Sequence, residues 1–286
     1  MSAVYKNLRA QRRAWRWCSD VLDRADFPLT SEMVDISAGR VRLTSAGTAT
    51  PRVVVVPGTG FNAAVALPWL RALSARWATT MVDLPGQPGL SDPRRPRRSR
   101  PAWYGRVLNE VLTAAGLDQV VVVGNSLGAA VALAADSPRI AARALISPAG
   151  IIRLTVDARS AFASAVWLLH PTTEHTRRML RLFVAPGEDP PEREVEWMTL
   201  MAACCRTTLA PPPLPTSVLA RRAEQPCVVG VGEHDRFLPP RRLAPAVGRR
   251  LGHDLRVIAG MGHLTTPGHL DAVVSIVAEA ADAASM

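Results

Sequence analysis

Short apolar runs alternate with longer stretches of helical pattern from residue 52 to the end of the chain. Six of these runs are predicted to be strands, at residues 53–56, 79–83, 119–123, 142–147, 227–232 and 254–258. Uninterrupted valine and isoleucine runs are typical of strands buried on both faces, and helices between such strands imply right-handed crossovers into a parallel sheet. The pattern therefore predicts an α/β fold with a doubly wound, mostly parallel sheet.

Helical patterns fill most of the intervals between these strands. The predicted helices cover about residues 63–77, 102–115, 127–135, 240–251 and 267–284. Ahead of the first buried strand, residues 33–37 and 40–44 flank Ala38-Gly39, as in a two-stranded hairpin. Apolar residues recur among arginines between residues 4 and 24, which predicts an amphipathic helix in an N-terminal extension, residues 1–29.

Residues 151–216 interrupt the alternation of strands and helices, because they contain no convincing strand. Two apolar stripes recur there at helical spacing: Phe162, Val166 and Leu169 in one helix, and Trp197, Met201 and Cys205 in another. We interpret residues 151–216 as a helical cap over the carboxyl ends of the strands, with these stripes packed on the core. The α/β core then comprises residues 30–150 and 217–286.

Composition limits the classes of protein that the chain can belong to. With 286 residues, of which 48% are hydrophobic, it can bury the core of one large α/β domain with an insertion. It contains no run of about 18 uncharged apolar residues, and its basic N-terminus lacks the apolar segment of a signal peptide. We therefore predict a cytoplasmic protein without a membrane partner. The four cysteines have no metal-ligand spacing and are expected to be buried thiols.

The net charge of +10 raises the question of nucleic-acid binding. Five arginines between residues 94 and 100 are interleaved with Pro93, Pro96 and Pro101, which predicts a stiff exposed loop rather than a helix that reads a groove. Aromatic residues, which stack on bases, make up only 5% of the chain. We predict no nucleic-acid partner.

The segment Gly124-Asn125-Ser126-Leu127-Gly128 joins a valine run to an alanine-rich helical stretch. A serine on such a sharp strand-to-helix turn is held in a strained conformation above the sheet, and the flanking glycines avoid clashes between strand and helix. The helix N-terminus behind the serine favours negative charge beside it. Ser126 is therefore the candidate nucleophile, although an ordinary turn built from small residues would read similarly.

A serine nucleophile needs a base and an acid that orients the base. Asp235 follows the strand 227–232 and His263 follows the strand 254–258, so both lie at the sheet edge where Ser126 is expected. Their structural alternatives are a turn cap for Asp235 and a surface loop histidine for His263, and Glu233 is the second choice for the acid. We predict the catalytic residues Ser126, Asp235 and His263.

Two backbone N–H groups are expected to stabilise a developing oxyanion. Leu127, directly after the serine, is the first predicted donor. The glycine-containing loop at residues 57–62 follows the first buried strand, and Thr59 is the second predicted donor, with Gly60 or Phe61 as alternatives. No phosphate-binding or dinucleotide motif follows this loop, so phosphate binding is the weaker interpretation of it. We predict no metal site, because the cysteines lack metal-ligand spacing.

Together these motifs resemble the α/β-hydrolase superfamily over about residues 30–286. The matching segments are the Gly58 loop, Asp83-Leu84-Pro85-Gly86, the turn at Ser126, Asp235 with Pro239, and Gly262-His263. The resemblance implies a cofactor-free serine hydrolase of the carboxylesterase type, with a cap that controls access. Such an enzyme cleaves an ester, thioester or lactone through an acyl-enzyme on Ser126. Asp83 is assigned a structural role in its loop.

Three alternative functions remain open on the sequence. Asn125 resembles the residue before the serine in carbon–carbon bond hydrolases of aromatic degradation, although Leu264 stands where those enzymes commonly have tryptophan. A specialised biosynthetic enzyme would use the same three residues, and hormone receptors of the superfamily bind ligand with little turnover.

The expected partner is a small molecule with an apolar portion. The candidate residues that bind it are Asn125, Phe61, Trp167, Met198 and Met201. Arginines of the cap are alternative binders of a substrate carboxylate, namely Arg153, Arg177, Arg178 and Arg181.

Overall fold

The structure is a computed structural model, and it describes residues 2–97, 100–206 and 211–285. The strands in these ranges are β1 (Ser2–Ala3), β2 (Thr30–Ile36), β3 (Gly39–Ala46), β4 (Val53–Val56), β5 (Thr79–Val82), β6 (Arg94–Arg95), β7 (Val120–Asn125), β8 (Ile140–Ile146), β9 (Cys227–Gly232) and β10 (Leu255–Ile258). The helices are α1 (Leu8–Asp23), α2 (Leu67–Ser74), α3 (Arg100–Ala114), α4 (Leu127–Ala134), α5 (Ala158–Leu169), α6 (Thr173–Leu180), α7 (Glu192–Cys204), α8 (Thr216–Ala223), α9 (Pro240–Leu251) and α10 (Leu270–Ser285), which a 3₁₀ turn (Pro267–His269) precedes.

Eight strands form one mostly parallel sheet in the order β10-β9-β8-β7-β4-β5-β3-β2. The β2–β3 hairpin is antiparallel and joins the sheet antiparallel to β5, whereas all pairs from β5 through β10 are parallel. From β4 the chain adds β5 on one side and later β7 to β10 on the other. The direction of winding therefore reverses between β4 and β7, and ligands of open α/β sheets bind at the carboxyl ends of strands at such a point.

The central strands are buried on both faces, as the sequence predicts. Val53 and Val55 of β4 face a core shared with α2 and α10, whereas Val54 and Val56 face a second core with α3, α4 and α9. Every side chain of β4 is at most 1% exposed. Helices on both faces explain why the strands read as continuous valine runs without polar alternation.

The first crossover helix is shorter than the predicted 63–77. Residues 63–66 form turns because the amide of Ala63 donates to Asp83 Oδ1 at 2.8 Å, and α2 begins only at Leu67. Asp83 Oδ2 accepts the amide of Leu90 at 2.9 Å, so this buried carboxylate joins two loops. That arrangement agrees with its predicted structural role.

The arginine-rich segment is exposed at Arg94 and Arg97, as the sequence suggested, but it is buried at Arg95. Arg94–Arg95 pair with Ser2–Ala3 in an antiparallel ribbon, and the Val4 amide donates to the Pro93 carbonyl at 2.9 Å. Arg95 is only 3% exposed, and its guanidinium donates to the Gly86 carbonyl at 2.7 Å. Arg98 and Ser99 lie outside the described residues.

The apolar stripe predicted for the first cap helix is also wrong. Phe162 and Leu169 are 72% and 75% exposed, whereas Trp167 is buried and its indole N–H donates to the Met198 carbonyl at 3.2 Å. This hydrogen bond orients the Trp167 face of α5 toward α7. In the second stripe Trp197 and Cys205 are buried, as expected.

The N-terminal extension forms α1, which packs on α7. Their contact includes Trp17 and Trp197, whose ring centroids are 4.9 Å apart. All four cysteines are buried free thiols. No helix in the three described ranges is long and apolar enough to cross a membrane.

Helix α4 passes so close to β4 that only glycine fits at position 128. A Cβ added there would lie 1.8 Å from the Val56 carbonyl oxygen. We predict that Gly128→Ala lowers the free energy of unfolding by more than about 3 kcal/mol, because backbone must move apart. Chemical denaturation measures this effect.

The control is Gly248→Ala in α9, where a Cβ meets no atom within 4 Å. We expect this variant to have a free energy of unfolding about 0.5–1 kcal/mol higher than the wild type. Equal stability of both variants would refute the close-contact explanation.

Candidate active site

Ser126 occupies the sharp turn between β7 and α4. Its backbone has φ 48° and ψ −108°, outside the regions that non-glycine residues ordinarily adopt. A Cβ added at Gly124 would lie 2.5 Å from the Cα of Ala129, so the turn tolerates only glycine there. The local sequence thus imposes the strained turn that presents the serine hydroxyl at the sheet edge.

His263 connects Ser126 to Asp235, so the structure brings the three predicted side chains together. The His263 Nε2 atom lies 3.1 Å from Ser126 Oγ, and Nδ1 lies 2.8 Å from Asp235 Oδ2. A carboxylate can only accept, so Nδ1 carries the proton and Nε2 is left to accept from the serine hydroxyl. This arrangement can withdraw the serine proton.

Asp235 is held as a charged group although its side chain is fully buried. Burial alone would raise the pKa of its carboxyl, but the electrostatic interaction and hydrogen bond with His263, together with the Leu238 amide, hold that pKa below its ordinary value. Its Oδ1 accepts the amides of Phe237 and Leu238 at 2.9 and 2.8 Å. The second choice for the acid, Glu233, instead accepts the Gly260 amide at 2.9 Å in an exposed turn.

Two phenylalanines flank the His263 ring, and the sequence did not identify either of them as a neighbour of this histidine. Phe183 and Phe237 meet it edge to face, with centroids 5.9 and 5.3 Å away. The Phe183 carbonyl also accepts the Leu264 amide at 2.7 Å. Phe237, two residues after Asp235, could have been noticed, whereas Phe183 lies in a loop after α6 without any local motif.

The loop after β4 leaves one of its three candidate oxyanion donors available. The Gly60 amide donates to Gln87 Oε1 and the Phe61 amide to the Gly58 carbonyl, each at 3.0 Å. Within the described ranges, the amides of Thr59 and Leu127 have no acceptor. Both alternatives to Thr59 are therefore already occupied.

Gly60 is fixed at both of its backbone polar groups. Its carbonyl accepts the Trp197 indole N–H at 2.7 Å, while Gln87 holds its N–H and donates in turn to the Tyr104 hydroxyl at 2.8 Å. All of these groups are buried. A cap helix and the Asp83 loop thus orient the backbone beside Ser126, a connection between distant segments that no sequence motif announces.

A cavity of about 390 Å³ opens at Ser126 and His263. All five residues predicted to bind substrate line it, namely Asn125, Phe61, Trp167, Met198 and Met201. Further apolar side chains from the cap complete the wall, including Leu168, Met179 and Leu180. The wall is therefore suited to an apolar molecule.

The cap arginines considered as carboxylate binders do not line this cavity. Three of them form surface ion pairs, which are Arg177 with Glu192, Arg178 with Glu174 and Arg181 with Asp189. Arg153 is exposed. That alternative for substrate binding is therefore not supported.

A buried carboxyl group lies behind the loop after β4. Glu194 of α7 lines a cavity of about 20 Å³ together with Gly58, Phe61 and Asn125. Its Oε2 atom has no hydrogen-bond partner in the part of the chain that the structure describes. Burial raises the pKa of Glu194 to about 7, with a small opposing effect of Arg193. In the described ranges no group of three or more His, Cys, Asp or Glu side chains is placed to hold a metal ion.

The chain belongs to the alpha/beta hydrolase family, whose model matches residues 53–276. Carboxylesterase CesB (YbfK) from Bacillus subtilis superposes with a TM-score of 0.77 at 16% identity, covering 94% of this chain and 96% of that one. Naproxen esterase (carboxylesterase NP) from Bacillus subtilis has a TM-score of 0.73 at 17% identity, with coverage of 95% and 94%.

A third similar structure is 2-hydroxy-6-oxo-6-phenylhexa-2,4-dienoate hydrolase from Rhodococcus sp. strain RHA1. It has a TM-score of 0.62 at 20% identity, covering 88% of this chain and 99% of that one. At these identities the three structures show a shared fold alone. The chain has no match among curated protein sequences.

The buried Glu194 makes stability depend on pH. Its folded pKa of about 7 exceeds the ordinary 4.5, so the folded protein binds more protons between these values and stability falls as pH rises through this window. We predict that the free energy of unfolding of Glu194→Gln exceeds that of the wild type by about 2–3 kcal/mol at pH 8 and differs little from it near pH 4. Urea unfolding at both pH values measures this. Glu196→Gln, exposed on the same helix, is the control, and an equal pH response of both variants would contradict the prediction.

Proposed function

We propose that the chain is a cofactor-free serine hydrolase that cleaves an ester, thioester or lactone. The observation that carries the proposal is the hydrogen-bonded series from Ser126 Oγ through His263 to Asp235, at 3.1 and 2.8 Å. It lies at the mouth of a largely apolar cavity. The family and its esterase-like neighbours support hydrolysis as the class of reaction.

The reaction begins when Ser126 Oγ attacks the substrate carbonyl and His263 Nε2 takes the serine proton. The carbonyl oxygen becomes an oxyanion, which the N–H groups of Leu127 and Thr59 stabilise. Because Asp235 stays ionised, it orients the ring and stabilises the imidazolium.

The oxyanion then collapses and breaks the bond to the alcohol or thiol, which leaves with the proton of His263. Water attacks the resulting acyl-serine, again losing a proton to Nε2. A second oxyanion collapses, the acid is released, and His263 returns the proton to Ser126. Each turnover consumes one water and requires no other reactant.

Carbon–carbon bond hydrolysis is the second candidate, and Asn125 is the observation that favours it. The Asn125 side chain lines the cavity and lies against the loop after β4, since a Cβ on Gly58 would be 2.9 Å from its Oδ1. An amide there could contact a second carbonyl of a diketone. The comparison that separates the two reactions is turnover of a vinylogous 1,5-diketone against a short activated ester.

Replacement of Ser126 tests the proposed function directly. We expect wild-type protein to react with a fluorophosphonate at Ser126 and to hydrolyse a p-nitrophenyl ester. Ser126→Ala should lose the labelling and lower kcat by at least about 10⁴-fold, because no acyl-enzyme can form. Mass spectrometry of the labelled peptide and initial rates measure both.

Asp235→Asn is the companion variant, in which the ring remains but its orientation and tautomer are no longer fixed. A loss of about 10⁴-fold in kcat is expected, whereas Glu233→Gln, in the exposed neighbouring turn, should stay within about threefold. Unlabelled Ser126 in folded wild-type protein would exclude the proposed function. Tight ligand binding with negligible turnover in both wild type and Ser126→Ala would favour a receptor-like role.

A further inference from the structure

The only charged side chains along the cavity at Ser126, among the residues that the structure describes, are two arginines. These are Arg95 of β6 and Arg206, which follows α7. Arg206 is exposed, whereas Arg95 is 3% exposed. The described residues of the wall include no Asp or Glu to balance them. A negatively charged molecule would therefore be favoured over a neutral one of the same shape.

Arg95 has few partners for a buried guanidinium. It donates from Nη1 to the Gly86 carbonyl at 2.7 Å, and the Tyr104 hydroxyl lies beside it. None of its nitrogens lies within 4.0 Å of a carboxylate in the described ranges, and the residues outside those ranges include no Asp or Glu. Burial lowers the pKa of Arg95, but a guanidinium remains protonated at neutral pH.

Two other buried arginines have the hydrogen-bond acceptors or the carboxylate partner that a buried guanidinium normally needs. Arg143 donates to the carbonyls of Ala132 and Ala135 and to the Gln225 amide oxygen. Arg222 lies 3.0 Å from an Asp136 carboxylate oxygen. Neither lines the cavity. Arg95 differs because it lines the cavity and has no counter-ion among the residues that the structure describes, and an unpaired buried charge is costly to the folded state.

We propose that Arg95, assisted by Arg206, binds a carboxylate at the end of the substrate remote from the scissile bond. The substrate class is then an ester whose acyl chain ends in a carboxylate, with an apolar segment lying along the methionine and tryptophan side chains of the cap. This inference rests on the proposed function of Ser126. The planar guanidinium can pair with both carboxylate oxygens, which a lysine cannot do.

Buried side chains connect Arg95 to the loop after β4. Tyr104 contacts Arg95 and accepts a hydrogen bond from Gln87, and Gln87 Oε1 accepts the Gly60 amide. A carboxylate on Arg95 therefore binds to the same buried network that orients the backbone beside Ser126. Recognition of the remote charge and placement of the reacting carbonyl use one continuous surface.

The experiment compares p-nitrophenyl monoesters of succinate, adipate and suberate with their ω-methyl esters, which have nearly the same shape but no charge. For wild-type protein we expect kcat/KM of the acid at its best length to exceed that of the methyl ester by about 10-fold or more. Arg95→Met should reduce this acid-to-methyl-ester ratio roughly 10- to 100-fold, mainly through KM. Arg95→Lys should retain part of the ratio, because it keeps the charge without the bidentate geometry.

Arg94→Met is the matched control, because Arg94 is a neighbouring exposed arginine paired with Asp92. It should leave the ratio unchanged within about twofold. If Arg95→Met fails to fold, as judged by its Tm, Arg206→Met and inhibition of wild-type protein by free adipate provide the test. An acid-to-methyl-ester ratio near one for the wild type would overturn the inference. So would the absence of inhibition by adipate together with an unaltered ratio in Arg206→Met.

A binding measurement distinguishes failure of this inference from failure of the proposed function. Calorimetry with Ser126→Ala and monomethyl adipate reports carboxylate recognition without turnover, with dimethyl adipate as the uncharged comparison. Binding of the acid that Arg95→Met abolishes supports the inference even if no ester is cleaved. Hydrolysis of the esters through Ser126 without any preference for the acid leaves the proposed function intact and refutes the carboxylate site.

Discussion

The close contact between α4 and the end of β4 is the constraint on which the rest of the structure depends. Gly128 lies against the Val56 carbonyl, and this contact sets the loop after β4 beside the turn after β7. The sheet reverses its direction of winding between these two strands, so no crossover helix covers their ends. Ser126 and Thr59 consequently line the same open cavity.

Helix α7 and the N-terminal residues contact the loops around this crevice through buried polar contacts as well as apolar packing. Trp197 of α7 donates to the Gly60 carbonyl, and Tyr5 exchanges hydrogen bonds with the backbone of Gly89 at 2.9 and 3.0 Å. The Lys6 amide donates to the Cys204 carbonyl at the end of α7. The extension therefore supports one wall of the cavity, and its residues belong to the architecture of the site although they are remote in sequence.

The sequence predicts what depends on neighbours along the chain. The buried strands, the turn at Ser126 and the positions of Asp235 and His263 follow from local runs and strand ends, and the mostly parallel sheet is confirmed. The burial of Arg95 could not be predicted, because it depends on pairing with a strand more than 90 residues earlier. The exposure of Phe162 could not be predicted for a similar reason. Helical spacing identifies an apolar stripe, but it does not tell which face of α5 packs on α7, and that face is the one with Trp167, which hydrogen-bonds to α7.

Buried charges are distributed unevenly between the core and the cavity walls. In the core, Asp83 accepts two backbone amides and Arg143 donates to three acceptors. These hydrogen bonds offset the cost of burying the two charges, so a structural role explains both residues. Glu194 and Arg95, at the two cavities, have fewer partners and lower the stability of the folded chain. Natural sequences accept such costs mainly where a ligand or a reaction uses the group. The incomplete pairing of Arg95 thus directs attention to the chemistry of the substrate rather than to the core, because no carboxylate of the described residues pairs with it and an anion bound in the cavity would do so.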